Sequence, residues 1–481
     1  MLLIDLALAA LPIVLVAVLL ACRLEPIPVV IGVIAATLVL SFRFPLTWDA
    51  IESTGGRLLP ITLAVSLIIL GGVLLAETLA ASGAQTRIGA WLEAAAQGRE
   101  RALLLIGLTI GPLAESLIGW GIGIIVAAPL LIQIGLSATR AATIALLGMV
   151  VAPWGSLAPG LLVSSQLGGE DFREVGIWTA LFNLPVLLVM AATIAIVGMG
   201  WRVAVRRSPE VLSTALVMWL VLLASNLWIS VPLSGALSSL AGAAWLLVLA
   251  RIRGGGMPAM DRATTRSLLP YALLVTSLLS MTAFTSLVPL GAASAVLTSP
   301  ALWLLVTAVV TPALLGLDRE GATTGLVRGL RLFVPVWLVT VLFIVLGALL
   351  AANGMAETLS DGAAMLGTGF LLVVPLMGFL GGYTTASNTA IASMFSAGIS
   401  HVSLAIDASP AMVLGSQNAS GGAAVISSPA RVALASAIAN DNRVSGTERA
   451  DVRFAMVAVL AANAVILVIL SPITFLLGGV A

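Results

Sequence analysis

Few residues of this chain can do chemistry, and three short stretches hold most of them. AESLIGWGIG (114–123) carries one carboxylate, Glu115, among Leu, Ile and Gly. GYTTASNTA (382–390) sets the hydroxyls and amide of Thr384, Thr385, Ser387, Asn388 and Thr389 in a row. GSQNASGGAAVISSP (415–429) joins Gln417, Asn418, Ser420, Ser427 and Ser428 to Gly421, Gly422 and Pro429. A carboxyl desolvated by apolar neighbours, with no Arg close in sequence, is suited to taking up and releasing a proton. Its plainer use is to pair with backbone or a distant Arg and hold its segment in shape. Hydroxyl and amide groups beside a helix start suit a bound carboxylate, because free N–H groups and the positive dipole end lie there. Ser and Asn oxygens can also ligate a cation, and helix capping alone would use the same groups.

In the third stretch, glycines let backbone N–H groups approach a ligand, and Pro429 fits the first turn of a following half-helix. Arg431, two residues on, either meets a carboxylate through a bidentate pair or marks the cytoplasmic end of its helix; the second is the favoured reading. Trp154, Ser156 and Pro159 lie in a related stretch, VVAPWGSLAPG (150–160), and either line a pocket or pack a kink. Glu77 is read as an interfacial residue. His401, the one histidine, is placed in an external loop with no catalytic or metal role. No H-E-x-x-H, Walker or C-x-x-C pattern occurs, and G-x-G at 121–123 follows no strand, so neither ATP-driven pumping nor any cofactor is expected.

The elements that position these groups must be membrane helices. Of 481 residues, 60% are hydrophobic and 9% charged, against about 25% charged in soluble domains. The mean hydropathy is +1.16. Apolar runs of the roughly 20 residues that span a bilayer recur along nearly the whole chain. The net charge of +1 gives no hint of nucleic-acid binding, and Cys22 is the single cysteine, so no intrachain disulfide forms. The opening MLLIDLALAALPIVLVAVLLACR carries Asp5 and no basic residue before its apolar run, so it reads as a first transmembrane helix rather than a cleaved signal.

Arginine placement sets the topology. The 201–207 region and the loops 251–266, 319–331 and 443–453 are predicted cytoplasmic, as is 85–101 with Trp91 as an interfacial anchor. Arg43 and Arg57 fall on the outer side, against the trend. With these anchors, 102–113 is too short to cross; it meets the Gly-rich 114–123 and returns through 124–136, a re-entrant hairpin. A second hairpin enters from the opposite face, through 363–380, the break at GYTTASNTA and 391–400, after an external 353–362. Each is followed by a helix with its own break, at 150–160 and 415–429. Hairpin then broken helix, twice and inverted, is the pattern of an inverted-repeat secondary transporter. The expected fold is an all-α polytopic membrane protein with two re-entrant hairpins and two broken transmembrane helices. Its repeats would be 1–200 and 268–481, joined by connecting helices and a cytoplasmic loop at 201–267.

Three collinear blocks, 113–160, 382–395 and 415–439, resemble the L-lactate permease family. They correspond to its Glu-Gly-Ala-Ala-Gly-Phe-Gly block with a downstream Pro/Gly segment, its Gly-Ser-Asp-Thr-Ser-Ser-Asn motif and its Gln-Asn…Gly…Ile-Ser-Pro block. Thr384 stands where the second motif has its acidic residue, and Ala423-Ala424-Val425 precede the last motif. The resemblance implies proton-coupled uptake of lactate or a related 2-hydroxy monocarboxylate, not an enzyme. It implies Glu115 as the proton-coupling residue, with Gly119, Gly121 and Gly123 around it. Gly121, Gly123, Thr385, Ser387, Asn388, Gln417, Asn418, Gly421 and Ser427 would form the substrate site, with Pro429 beside them. The expected partners are a small organic anion, a coupling cation (proton favoured over sodium) and membrane lipid; a homodimer is left open. The expected location is the cell membrane, in a bacterium the inner one. The rivals are a sodium-coupled carboxylate symporter, with Ser387–Thr389 ligating the ion, and an integral-membrane enzyme, disfavoured because only Glu115 could serve as its acid.

Overall fold

A computed structural model describes residues 2–22, 24–252, 258–288, 290–444 and 446–478. Arg23, residues 253–257 of the arginine-bearing 251–266 loop, Pro289, Ser445 and the chain ends lie outside the described residues. The described chain is almost entirely helical, with no strand. That follows from the solvent: in hydrocarbon each backbone N–H and C=O must be satisfied within its own segment, which a helix does. Among the described residues nine helices are long and apolar enough to cross a membrane, ten if Pro410–Val425 and Pro429–Asp441 count as one span bent by 40°.

The expected architecture is present, an all-α inverted repeat. The first hairpin runs through Arg99–Leu104, a π-helical stretch Leu105–Ile110 and Gly111–Ile118. This is a continuous arm of 20 residues rather than the short 102–113 expected, because the helix continues through Glu115 to Ile118. The hairpin turns at Gly119–Gly121 and returns as Ile122–Gln133. A helix broken between Ala138–Leu147 and Pro159–Gly168 follows. The second hairpin is Phe370–Thr385 and Asn388–Ala405, followed by Pro410–Val425 and Pro429–Asp441. Each hairpin's returning arm packs on the second half of the other repeat's broken helix. Asn388–Ala405 lies along Pro159–Gly168, where Ser396 donates to Ser164 (3.0 Å) and Ser400 to the Gly168 carbonyl (2.6 Å). Ile122–Gln133 lies against Pro429–Asp441 in the same way.

Two long helices, Trp48–Ser82 and Arg319–Ala352, flank this centre and pack along one another. Small residues permit the approach, as expected where lipid offers no hydrophobic drive between helices. A Cβ on Gly325 would meet Thr78 at 3.1 Å, and one on Gly329 would meet Leu74 at 2.8 Å. At one end of the first hairpin the buried Arg101 donates to Glu210 (2.6 Å), which Arg207 also contacts (3.0 Å). Arg43 is paired with Asp5 at 2.8 Å, which accounts for an arginine on the side the charge pattern disfavours.

Several boundaries differ from the expectation. Residues 319–331 are the first turns of the 34-residue helix Arg319–Ala352, started by Asp318, whose side chain accepts from the Gly321 N–H. Three arginines mark that end as polar, not as unwound. Likewise 353–362 is mostly the helix Met355–Ala364, 85–101 begins with Ala84–Ala96, and His401 sits in the last turns of Asn388–Ala405. Trp91 donates to the Pro258 carbonyl at 3.2 Å. Within 415–429 the helix runs unbroken to Val425, and only Ile426–Ser428 interrupt it. The glycines there serve close packing. A Cβ would meet Trp178 at 2.5 Å from Gly415, Gly378 at 3.3 Å from Gly421, and Pro153 at 2.6 Å from Gly422.

Candidate functional site

The first hairpin turns through left-handed backbone at Gly119 (φ 78°), Trp120 (55°) and Gly121 (86°). Glu115, one turn earlier, reaches back across this turn. Its Oε2 accepts from the N–H of Gly121 (3.0 Å) and of Gly123 (3.1 Å), and its Oε1 lies 3.2 Å from the Gly121 nitrogen. The carboxylate thus closes the free N–H end of Ile122–Gln133, where donors and dipole favour a negative charge. Gly123 makes room for it: a Cβ there would meet Glu115 at 3.1 Å and the Gly111 carbonyl at 2.6 Å. So the carboxyl that the sequence singles out does hold its hairpin tip through backbone.

The second tip is held by its own hydroxyls. Thr385 donates to the Gly381 carbonyl (2.7 Å) and accepts from the Ser387 N–H (3.3 Å). Ala386 takes φ 56°, and Ser387 caps Asn388–Ala405 by accepting from the Ala390 N–H at 3.3 Å. Asn388 then reaches into the first repeat, donating from Nδ2 to the Ala152 carbonyl at 2.7 Å.

Ala152 belongs to the break between Ala138–Leu147 and Pro159–Gly168. There Ser156, Leu157 and Ala158 all adopt left-handed backbone (φ 52°, 63° and 74°). Such conformations are costly for residues with a Cβ and concentrate at functional sites. The Ser156 hydroxyl is buried without a hydrogen-bond partner among the described residues. In the second break Ser428 caps Pro429–Asp441 by accepting from the Arg431 N–H (3.2 Å), and Ser427 accepts from Asn463 (2.8 Å).

Both tips and both breaks meet around one cavity of about 430 Å³. Glu115, Gly119, Ser387, Asn388, Thr389 and Arg431 line it, together with Gly155–Ser156, the start of Pro159–Gly168 and one face of the Pro335–Thr340 stretch of the long helix. The other expected site residues stand outside the lining. Gly121 and Gly123 hold Glu115, and Thr385 holds the second tip. Asn418 donates to Ser164 and to the Leu414 carbonyl, both at 2.9 Å. Gly421 packs on the second hairpin, and the amide of Gln417 is buried with neither nitrogen nor oxygen partnered among the described residues.

The residue that sequence reasoning misplaced is Arg431. It stands in the first turn of Pro429–Asp441, not at its end, and its guanidinium lies over the Cα of Gly121. The Pro429 that opens the half-helix was the available signal, because it puts Arg431 at the depth of the break. Among the described residues no group of three His, Cys, Asp or Glu side chains could hold a metal ion.

The sequence model of the L-lactate permease family matches residues 5–255 and 262–477. The chain belongs to the L-lactate permease family. As a family member it is a transporter and not an enzyme, and with its nine candidate spans among the described residues it is a multi-pass membrane protein. No curated protein matches it. Among solved structures, that of the YdaH transporter of Alcanivorax borkumensis, described as having an unusual topology, is similar at a TM-score of 0.47 and 13% identity. The match covers 90% of this chain and 89% of that one.

Proposed function

We propose that this permease takes up lactate or a related small 2-hydroxy monocarboxylate together with a proton. The observation that carries the reading is the convergence of both hairpin tips and both helix breaks on one cavity that holds a carboxylate and a guanidinium. Its volume, about 430 Å³, falls in the usual range for small-molecule sites, ~300–1,000 Å³. Ser387 and Asn388, at the N-terminus of an 18-residue helix, offer donors to an anion's oxygens. Gln417 and Asn418 stand one layer behind and would join only when the halves rearrange.

Glu115 is the proton carrier in this scheme. Its ionised form accepts the Gly121 and Gly123 N–H groups and keeps the first tip closed on itself. A proton on the carboxyl weakens those charge-assisted bonds and frees the tip to move. Transport proceeds by alternating access, the two repeats rocking about the site.

The test is uptake of labelled L-lactate into proteoliposomes under an inward proton gradient and then a sodium gradient, wild type against Glu115→Gln. Proton-driven uptake that the substitution abolishes supports the reading. Uptake driven only by sodium and indifferent to Glu115 replaces it with a sodium symporter.

A further inference from the structure

Arg431 is a cavity-lining cation whose guanidinium the packing leaves without a hydrogen-bond partner among the described residues. Its backbone N–H is used by Ser428, and among the described residues its guanidinium makes no ion pair either. Other enclosed arginines are matched. Arg101 has Glu210, and Arg87 has the Ser267 hydroxyl and the Ser82 carbonyl. An unmatched guanidinium beside a helix break at membrane depth is costly. It presents five N–H donors in a planar fork whose natural complement is a carboxylate bound through both oxygens.

Glu115 supplies charge without supplying contact. It is the group whose charge acts on Arg431, but its oxygens are turned to the N–H groups of Gly121 and Gly123. Gly121 stands between the two, donating its N–H to Glu115 while its Cα hydrogens face the guanidinium. Any side chain at 121 would take the space that Arg431 occupies. The remaining lining carboxylate, Glu25, is exposed.

We infer that Arg431 anchors the carboxylate of the transported anion by a bidentate pair, and that Glu115 is the resident countercharge against which that anion must bind. This rests on the anion-transport reading above and adds to it the residue that recognises the substrate's charge. It also gives the coupling a reason. The empty site balances one guanidinium against one carboxylate; an added monocarboxylate leaves one negative charge in excess, which a proton on Glu115 removes. Arg431 and Glu115 therefore have opposite effects on binding. Removing the first weakens it, and removing the charge of the second strengthens it.

The experiment measures binding to the purified full chain by scintillation proximity and thermal shift. The probes are L-lactate, glycolate, acetate, succinate and propane-1,2-diol, an uncharged relative of lactate. Expected for the wild type is stabilisation by L-lactate and none by the diol. Arg431→Gln weakens lactate binding more than 10-fold, Arg431→Lys recovers part of the loss, and Glu115→Gln tightens it severalfold while losing proton-driven uptake. Lactate binding by Arg431→Gln at wild-type affinity overturns the inference, as does equal binding of the diol. If the wild type ignores lactate but binds another of the acids, the lactate reading falls. The assignment of Arg431 then stands or falls on whether Arg431→Gln loses that acid. If no acid binds the folded wild type, both fall. Tighter binding by Glu115→Gln is a gain that a misfolded variant cannot mimic.

Discussion

Asn388 donates its side-chain N–H to the carbonyl of Ala152, 236 residues away, at 2.7 Å. That bond ties the tip of the second hairpin to the break of the first repeat's helix, in the wall of the cavity. Asn388→Asp puts an acceptor against a carbonyl and leaves that carbonyl unpaired, where Asn388→Ala only leaves it unpaired. An unmet buried polar group costs about 1–3 kcal/mol, and more with a charge. Lactate uptake is expected to fall at least 10-fold in Asn388→Asp and less in Asn388→Ala. Equal uptake in the two, measured in proteoliposomes at matched protein density, would remove the bond from the working site.

Gly160 and Gly121 sit at the two contacts where one repeat's tip meets the other's broken helix, Gly160 on the helix side and Gly121 on the tip side. A Cβ on Gly160 would meet Asn388 at 2.8 Å, and one on Gly121 would meet the Arg431 guanidinium while φ is 86°. Either alanine substitution should cut uptake more than 10-fold. Gly121→Ala carries a further backbone cost of ~1–2 kcal/mol. Gly32, with nothing within 4 Å of its would-be Cβ, is the control: Gly32→Ala keeps wild-type uptake. A Gly160→Ala protein that transports normally would show the contact to be slack.

Gln417 keeps a buried amide that neither donates nor accepts among the described residues. Gln417→Leu, similar in volume and free of that desolvation cost of about 1–3 kcal/mol, should raise Tm by a few degrees. Uptake should fall, because a group held at such a cost is expected to find its partners in the other transport state. A rise in Tm with unchanged uptake would leave Gln417 outside transport altogether.

The Arg101–Glu210 pair is buried on both sides (side chains 7% and 2% exposed), whereas Arg43–Asp5 is open to solvent. Glu210→Ala leaves a buried guanidinium uncompensated and should destabilise by about 3–5 kcal/mol. Asp5→Ala should change Tm very little. Melting of the detergent-solubilised protein, followed by near-ultraviolet circular dichroism, compares them directly; similar losses in the two variants would contradict the burial argument.

Much of the site's location was legible in the sequence. Glu115, Ser387 and Asn388 were singled out as polar groups in apolar runs, and they line the cavity, because polarity at membrane depth tells locally against lipid exposure. The sequence places the glycines at 421 and 422 in the break, whereas both are helical. Glycine in an apolar run signals close approach as well as flexibility, and its own segment cannot say which. The arginines at 319–331 suggest a loop by their charge but stand on a helix's polar end, since charge reports the solvent and not the backbone.

What the sequence determined by itself is therefore what depends on one segment and its solvent: a chain of membrane helices, the polar turns of two hairpins and the two interrupted helices. A run of some 20 apolar residues must close its own hydrogen bonds in lipid wherever it ends up. Which tip meets which break was decided only by tertiary structure. Arg431 over Gly121, and Asn388 on Gly160 and Ala152, are contacts between distant segments that only the packing of the two repeats brings together. Helix packing in a membrane is selected by shape and by the few polar groups left to satisfy, and those are properties of pairs of surfaces that no single stretch of the chain contains.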